Sequence, residues 1–205
     1  PNLDVTGLSG GGFVVTFAGN SGQDNSSYGI YARRYDASGT APDGESVVNT
    51  FWTGTQMVPQ TASLTDGGYV IAWASETQDG DGNGVYAQRY NSEGVAQGSE
   101  FRVNVTTTGN QGSRAGTDFH EEGLSVTGLK DGGFAVTWFS THADTTGDVY
   151  ARLYNADGTA QTGEFQINSH TSSLQWLPQV AALAKGGMVV TWASYAQDGS
   201  GYGVY

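Results

Sequence analysis

Apolar and polar positions in this chain follow short strand-like runs, and no stretch shows the 3.6-residue period of an amphipathic helix. Four runs of one design stand out: Phe13–Phe17 (FVVTF), Tyr69–Trp73 (YVIAW), Phe134–Trp138 (FAVTW) and Met188–Trp192 (MVVTW). Their odd positions are large: Phe13, Val15, Phe17; Tyr69, Ile71, Trp73; Phe134, Val136, Trp138; Met188, Val190, Trp192. Their even positions are small: Val14, Thr16; Val70, Ala72; Ala135, Thr137; Val189, Thr191. Neither face carries a charge. A strand of a half-solvated sheet alternates apolar with polar, so these runs predict strands covered on both faces.

Each run follows the same turn: Leu, two variable residues, Gly-Gly, then a large apolar residue. The copies are Leu8–Phe13 (LSGGGF), Leu64–Tyr69 (LTDGGY), Leu129–Phe134 (LKDGGF) and Leu183–Met188 (LAKGGM). Leu8 to Leu64 is 56 residues, Leu64 to Leu129 is 65 and Leu129 to Leu183 is 54. After each run come a polar loop, a strand from Tyr31, Tyr86 or Tyr150, a turn, and a short strand ending at Asn49, Asn104 or Asn168. The turns Asp36–Gly39, Asn91–Gly94 and Asn155–Gly158 put Asx first and Gly fourth, as a type I turn prefers.

Four strands per copy, at about the spacing of kelch-like blades, predict an all-β fold, a β-propeller-like array of four-stranded antiparallel blades; stacked β-sandwich repeats are the alternative. The copies span approximately 1–57, 58–122, 123–176 and 177–205, and the last ends at Tyr205 before its third strand is complete. An unfinished blade leaves an unpaired strand edge. The expectation is therefore that missing blades of a longer protein, or other chains, are partners.

Composition narrows the function. Glycine supplies 32 of 205 residues, well above the usual ~7%, while aromatics at 12% argue against disorder. Eight Lys and Arg against 20 Asp and Glu give a net charge of −12. That excludes a protein tracking nucleic-acid phosphates or binding an anionic membrane surface, and the lack of a long apolar run predicts no membrane insertion. Cys is absent, which removes disulfides, thiolate nucleophiles and zinc–thiolate sites together.

The fourth copy, from Pro178 to Trp192 and Gln197 to Tyr205, and the second, through Asp66–Trp73, Gln78–Tyr90 and Glu100–Asn104, resemble a Gly/Asp-rich repeat (DGGFVVTW, QDGSGxGVYAQRYD, GxEFxVN). That repeat forms arrays in very large secreted bacterial adhesins and RTX-associated exoproteins. The resemblance implies a non-enzymatic module for adhesion, structure or ligand binding, secreted or at the cell surface. The RTX nonapeptide G-G-x-G-x-D is missing, so RTX calcium chemistry is not implied.

The residues themselves offer several candidate sites. Asp79-Gly-Asp81-Gly-Asn83-Gly84 has the alternating oxygen ligands of a calcium loop, making Asp79, Asp81 and Asn83 candidate Ca2+ ligands. The sibling loops are poorer: Asp24 and Ser26, Asp144 and Asp148, Asp198 and Ser200. Asn49 to Leu64 and Asn168 to Leu183 are each 15 residues, but Asn104 to Leu129 is 25, so ten extra residues lie within 105–128. That insertion holds Phe119, His120 and Glu121, candidates for contacting a ligand. Trp52 and Trp176 lie outside the buried Trp73, Trp138 and Trp192 series and are candidate platforms for glycans. His142 and His170 stand in no nucleophile motif and read as loop residues. Arg33, Arg34, Arg89 and Arg152, with Glu45, Glu100 and Glu164, predict ordinary cross-strand pairs. Near-identical copies repeat the same groups, whereas an active site needs different groups converging; the expectation is no catalysis. The alternative is a carbohydrate-active module, lectin or glycoside hydrolase.

Overall fold

The computed structural model describes residues 3–20, 28–113, 123–143 and 146–205, and its chain forms four separate antiparallel sheets. Sheet 1 contains β1 (Leu3–Gly7), β2 (Phe13–Gly19), β3 (Gly29–Tyr35) and β4 (Ser46–Val47). Sheet 2 contains β5 (Gln56–Ser63), β6 (Tyr69–Glu76), β7 (Asn83–Tyr90) and β8 (Ala96–Arg102). Sheet 3 contains β9 (Leu124–Gly128), β10 (Phe134–Ser140), β11 (Asp148–Tyr154) and β12 (Phe165–Gln166). Sheet 4 has β13 (Gln175–Ala182), β14 (Met188–Tyr195) and β15 (Tyr202–Val204). Strand order follows chain order in every sheet, and each sheet's first strand contacts the first strand of the next. This is the propeller architecture. A sandwich would pair strands from different copies within one sheet, and none do.

The Gly-Gly turn is explained by two requirements. Gly67 and Gly132 have φ of 89° and 91°, a region costly for any residue with a Cβ. The following Gly68 and Gly133 lie against the carbonyl oxygens of Tyr90 and Tyr154, where a Cβ would collide. Gly67 N donates to Leu64 O at 3.1 Å and Leu64 N to Gly68 O at 2.8 Å, closing the turn.

Sheets stack by setting a large face into a small one. Val14, Ala18, Ile30 and Ala32 of sheet 1 pack against Tyr69, Ile71, Trp73, Tyr86 and Tyr90 of sheet 2. Val70, Ala72, Val85 and Ala87 on the other face of sheet 2 receive Phe134, Val136, Trp138, Tyr150 and Tyr154 of sheet 3. Ala135 and Leu153 of sheet 3 receive Val180, Met188 and Val190 of sheet 4. The large/small alternation in the sequence is thus the code for stacking, and Trp73 and Trp138 are fully enclosed by it. Sheets 4 and 1 do not pack on each other: among the described residues the four form an open arc.

Polar latches tie the sheets together, and here the expected cross-strand Arg–Glu pairs are not what forms. Glu100 accepts from Thr50 N of the preceding copy at 2.6 Å and from Gln78 Nε2 at 2.7 Å. Glu164 accepts from Val105 N at 2.6 Å, from Thr106 N at 3.1 Å and from the Thr106 hydroxyl. The arginines bind elsewhere. Arg34 meets Asp43 at 3.4 Å and Arg89 meets Asp66 at 3.7 Å. Arg152 lies over the Tyr154 ring and donates to Val103 O at 2.8 Å. The glutamates thus bind across to the preceding copy, while Arg34 and Arg89 pair with aspartates of their own copies and Arg152 reaches a backbone carbonyl of the second copy.

Candidate long-loop end and its aromatic cluster

Each sheet has two unlike ends. The Gly-Gly and Asx-Gly turns of neighbouring sheets lie side by side at one, as where Gly94 meets Arg34 and Gly132 meets Thr65. The other carries the linkers between sheets and the loops joining second to third strands. It is organised by a Gln seven residues after each terminal Asn. Gln56, Gln111 and Gln175 are all fully buried. Their backbone N–H groups donate to Tyr28 O, Asn83 O and Gly147 O at 3.0, 2.7 and 3.0 Å. Asn49, Asn104 and Asn168 in turn accept from Ile30 N, Val85 N and Val149 N at 2.7 to 2.8 Å. The Gln spacing was available in the sequence and is a signal that repeat reading by glycine and aromatic motifs passes over.

The proposed cation loop sits at this end, and its side chains serve to fasten the linker. Asp79 Oδ2 accepts from Asn104 Nδ2 at 2.7 Å, and Asp81 Oδ2 accepts from Gly109 N at 3.1 Å. Asn83 turns inward, its Nδ2 donating to Ser113 O at 3.4 Å. The D-x-D-x-N spacing thus spreads over three separate hydrogen bonds, with which any calcium ion would have to compete. Among the described residues no three His, Cys, Asp or Glu side chains cluster to hold a metal ion.

The ten-residue insertion can be located closely. Gln56 and Gln175 are followed by a bulge before regular pairing resumes at Gln60 and Gln179, with Val58 and Leu177 at φ 54° and 51°. In the third copy Gln111 keeps its bridge to Ser140, and regular pairing resumes only at Leu124. The extra residues replace the bulge. Its margins are tied down: Gly112 N donates to Phe139 O, and Phe139 N to Gly123 O, both at 2.8 Å. Phe119, His120 and Glu121 lie outside the described residues, as do Asp24, Ser26 and Asp144.

Trp52 and Trp176 are not brought together. Trp52, 47% exposed, stands on the linker between sheets 1 and 2. Trp176 occupies the bulge of β13 in sheet 4, where its ring lies 5.8 Å from that of Tyr202, and Tyr202 lies 5.1 Å from Tyr195. Tyr195 and Tyr202 are 45% and 60% exposed. Strand register makes Met57, Glu76 and Asn83 the counterparts of these three aromatics in sheet 2. Three non-aromatic positions of one copy are aromatic together in another, and they converge. Trp176 was readable as a candidate; Tyr195 and Tyr202 were missed, because only the register joins them to it. His142 Nδ1 pairs with Ser140 Oγ at 2.8 Å and His170 Nε2 with Ser172 Oγ at 3.1 Å, both beside the linkers of this end.

No family model and no curated protein matches the chain. Solved structures do match its fold. A Hadza microbial sialidase is similar over 98% of this chain and 43% of its own, at 12% identity and a TM-score of 0.64. An endo-arabinase from Bacteroides thetaiotaomicron is similar over 99% and 72%, at 14% identity and 0.54. An α-L-arabinofuranosidase from Lactobacillus brevis is similar over 98% and 70%, at 10% identity and 0.54. The chain therefore spans less than half the length of the sialidase. These neighbours are sugar-cleaving propellers, and they overturn the expectation of a non-enzymatic adhesion or structural module: the carbohydrate-active alternative is the better supported. The uniformity of the repeats misled that expectation, since a propeller scaffold is repetitive whatever its loops do. Among the described residues no helix is long and apolar enough to cross a membrane.

Proposed function

We propose that this chain is the propeller module of a carbohydrate-active protein of the glycoside hydrolase class, gripping a glycan at its long-loop end through Trp176, Tyr195 and Tyr202. The observation that carries this is the convergence of three aromatics, two of them exposed, at positions occupied by Met57, Glu76 and Asn83 in sheet 2. An aromatic ring offers the apolar face of a sugar a large rigid contact, while the Tyr hydroxyls remain free to meet its polar rim. Support also comes from neighbours described as a sialidase, an endo-arabinase and an arabinofuranosidase. Glycoside hydrolysis needs two carboxyl groups roughly 5–10 Å apart, and the insertion that opens at this end carries Glu121 and Glu122. A secreted or cell-surface location belongs with this reading, since polymeric glycans are met there.

The test is a glycan panel containing arabinans and sialylated oligosaccharides, read for binding and for released reducing sugar. Binding weakened at least tenfold by Trp176→Ala or Tyr202→Ala, with Trp52→Ala unchanged, supports the reading. No binding and no release from any member would sink it.

A further inference from the structure

The two ends of the sheets differ in charge as well as in shape. Of the eight Lys and Arg, seven lie among the described residues, and six of those gather at the turn end. Lys130 and Lys185 stand in Gly-Gly turns. Arg33, Arg34, Arg89 and Arg152 lie within two residues of the end of a third strand, at Tyr35, Tyr90 or Tyr154. Asp36, Asp43, Asp66, Glu93, Asp131 and Asp157 match them in number there, so the turn end is close to neutral. The long-loop end is the opposite. Glu76 ends β6, Asp79 and Asp81 lie in the loop to β7, Asp148 opens β11, and Asp198 lies in the loop from β14 to β15. Glu100 and Glu164 join them by accepting from the linker amides of Thr50 and Val105. Against these seven acids the described residues set only Arg102, on the outer strand of sheet 2, its Nε donating to Asn104 O at 3.1 Å.

We infer that the long-loop end of this chain takes uncharged glycans and rejects sugars bearing a carboxylate or a sulfate. The inference rests on the reading of Trp176, Tyr195 and Tyr202 as the glycan grip. From Gln175 to Tyr205, the segment that forms sheet 4, the charged residues are Lys185, at the turn end, and Asp198. Asp198 is exposed in the loop that runs from Tyr195 to Tyr202, where its Oδ1 accepts from Ser200 N at 3.2 Å. The charge beside the platform is thus an acid. Recognition of a sugar carboxylate or sulfate uses the fork of an arginine or the point charge of a lysine, and the strands and loops that carry the three rings bring neither to this end. An anion docked on the rings gives up hydration with no cation to replace it, in a potential that the surrounding acids already make negative. Stacking asks only for the apolar face of the sugar, which an uncharged residue offers in full.

Calorimetric titration at pH 8 with matched oligosaccharides decides it: xylo-oligosaccharides with and without glucuronate branches, galactans with and without sulfate, and lactose against sialyllactose. The expected result has three parts. In low salt the neutral member of a pair binds at least about tenfold tighter than its acidic partner. Added salt narrows that gap by screening the repulsion. Asp198→Lys, a change at an exposed side chain, raises the affinity for the acidic member severalfold. Acidic members that bind as tightly as their neutral partners overturn the inference while leaving the platform in place. So does a gap that neither salt nor Asp198→Lys moves, because the discrimination is then one of shape. An acidic preference abolished by Arg114→Ala, a residue outside the described ones, overturns it as well. Failure of the platform itself looks different: no member binds, neutral or acidic, and both readings fall.

Discussion

Glu164 offers the sharpest measure of how the sheets are held, because the same residue type recurs at Glu45, where the side chain is exposed. Glu164 satisfies two backbone amides, Val105 N and Thr106 N, and the Thr106 hydroxyl, all from the preceding copy. Truncation in Glu164→Ala strands these donors. A hydrogen bond to a charged acceptor contributes about 1.5–3 kcal/mol net. Glu164 is half-exposed, so water re-solvates part of what is lost, and the expected cost is about 2–3 kcal/mol in total. For a chain of this size that corresponds to a melting point lower by roughly 5–10 °C. Glu45→Ala is the internal control: its side chain is exposed, and a surface substitution of that kind stays within about 0.5 kcal/mol. Differential scanning calorimetry and urea titration read both. Equal costs for Glu45→Ala and Glu164→Ala would refute the idea that these glutamates act by latching a neighbouring sheet, as would a Glu164→Ala cost near zero.

Other expectations follow from the same packing. Trp138→Ala, opening a cavity between sheets 2 and 3, should cost about 3–5 kcal/mol by chemical denaturation, whereas Trp52→Ala should change stability little. Asp79→Ala removes the charged one of the three acceptors around Asn104 Nδ2, the others being Thr106 O and Gln111 Oε1, and should cost about 1 kcal/mol in chelator as well as in calcium; a loss seen only with calcium present would instead make Asp79 a metal ligand. Burial raises the phenol pKa of Tyr69, Tyr86 and Tyr154 from 10.0 to about 12 and that of Tyr90 further. The folded state then holds protons the unfolded state gives up, so stability is intact below pH 10, falls as pH rises from 10 towards 12, and is measured by denaturation at stepped pH. Tyr69→Phe should flatten that fall, and a pH-independent curve would contradict it.

The stacking of the sheets was legible because it is written locally. Phe134, Val136 and Trp138 sit on one face of a strand by simple alternation, and the absence of charge on Ala135 and Thr137 tells that the other face is covered too. The Gly-Gly turn was legible for the same reason: two adjacent residues carry both the positive φ and the close approach. The latches were not. Glu100 finds Thr50, and Glu164 finds Val105, across 50 and 59 residues of chain, and nothing near a glutamate indicates that its partner will be a backbone amide of another sheet. The aromatic cluster fell between these cases. Trp176 drew notice, but Tyr195 and Tyr202 resemble ordinary strand-end tyrosines until the β13–β14–β15 register is known. The D-x-D-x-N loop was a legible pattern, but the linker amides that Asp79 and Asp81 accept from are partners that sequence spacing cannot reveal.

Placement of the insertion bears most directly on function. A propeller strand tolerates extra residues poorly in its paired length, where one added residue would turn every following side chain to the wrong face. It tolerates them well at a bulge, where pairing is already interrupted and register is reset afterwards. The third copy uses that opening: Gln111 holds its bridge before the break, Ser125 pairs with Thr137 after it, and the sheet beyond is unchanged. Ten residues are thereby added at the long-loop end without altering the stacking of Phe134 and Trp138 that anchors sheet 3. The corresponding opening in sheet 4 carries Trp176 instead of a longer loop. Two copies have thus departed from the repeat at the same structural point, one by length and one by side chain. Such departures, unlike the repeated groups, are able to place different chemistry around a common site. Replacing residues 114–122 by a short Gly-Ser link should therefore leave the melting point within a few degrees of wild type while removing any glycan hydrolysis. Loss of the fold would show that the insertion is structural, and undiminished turnover would move the chemistry elsewhere.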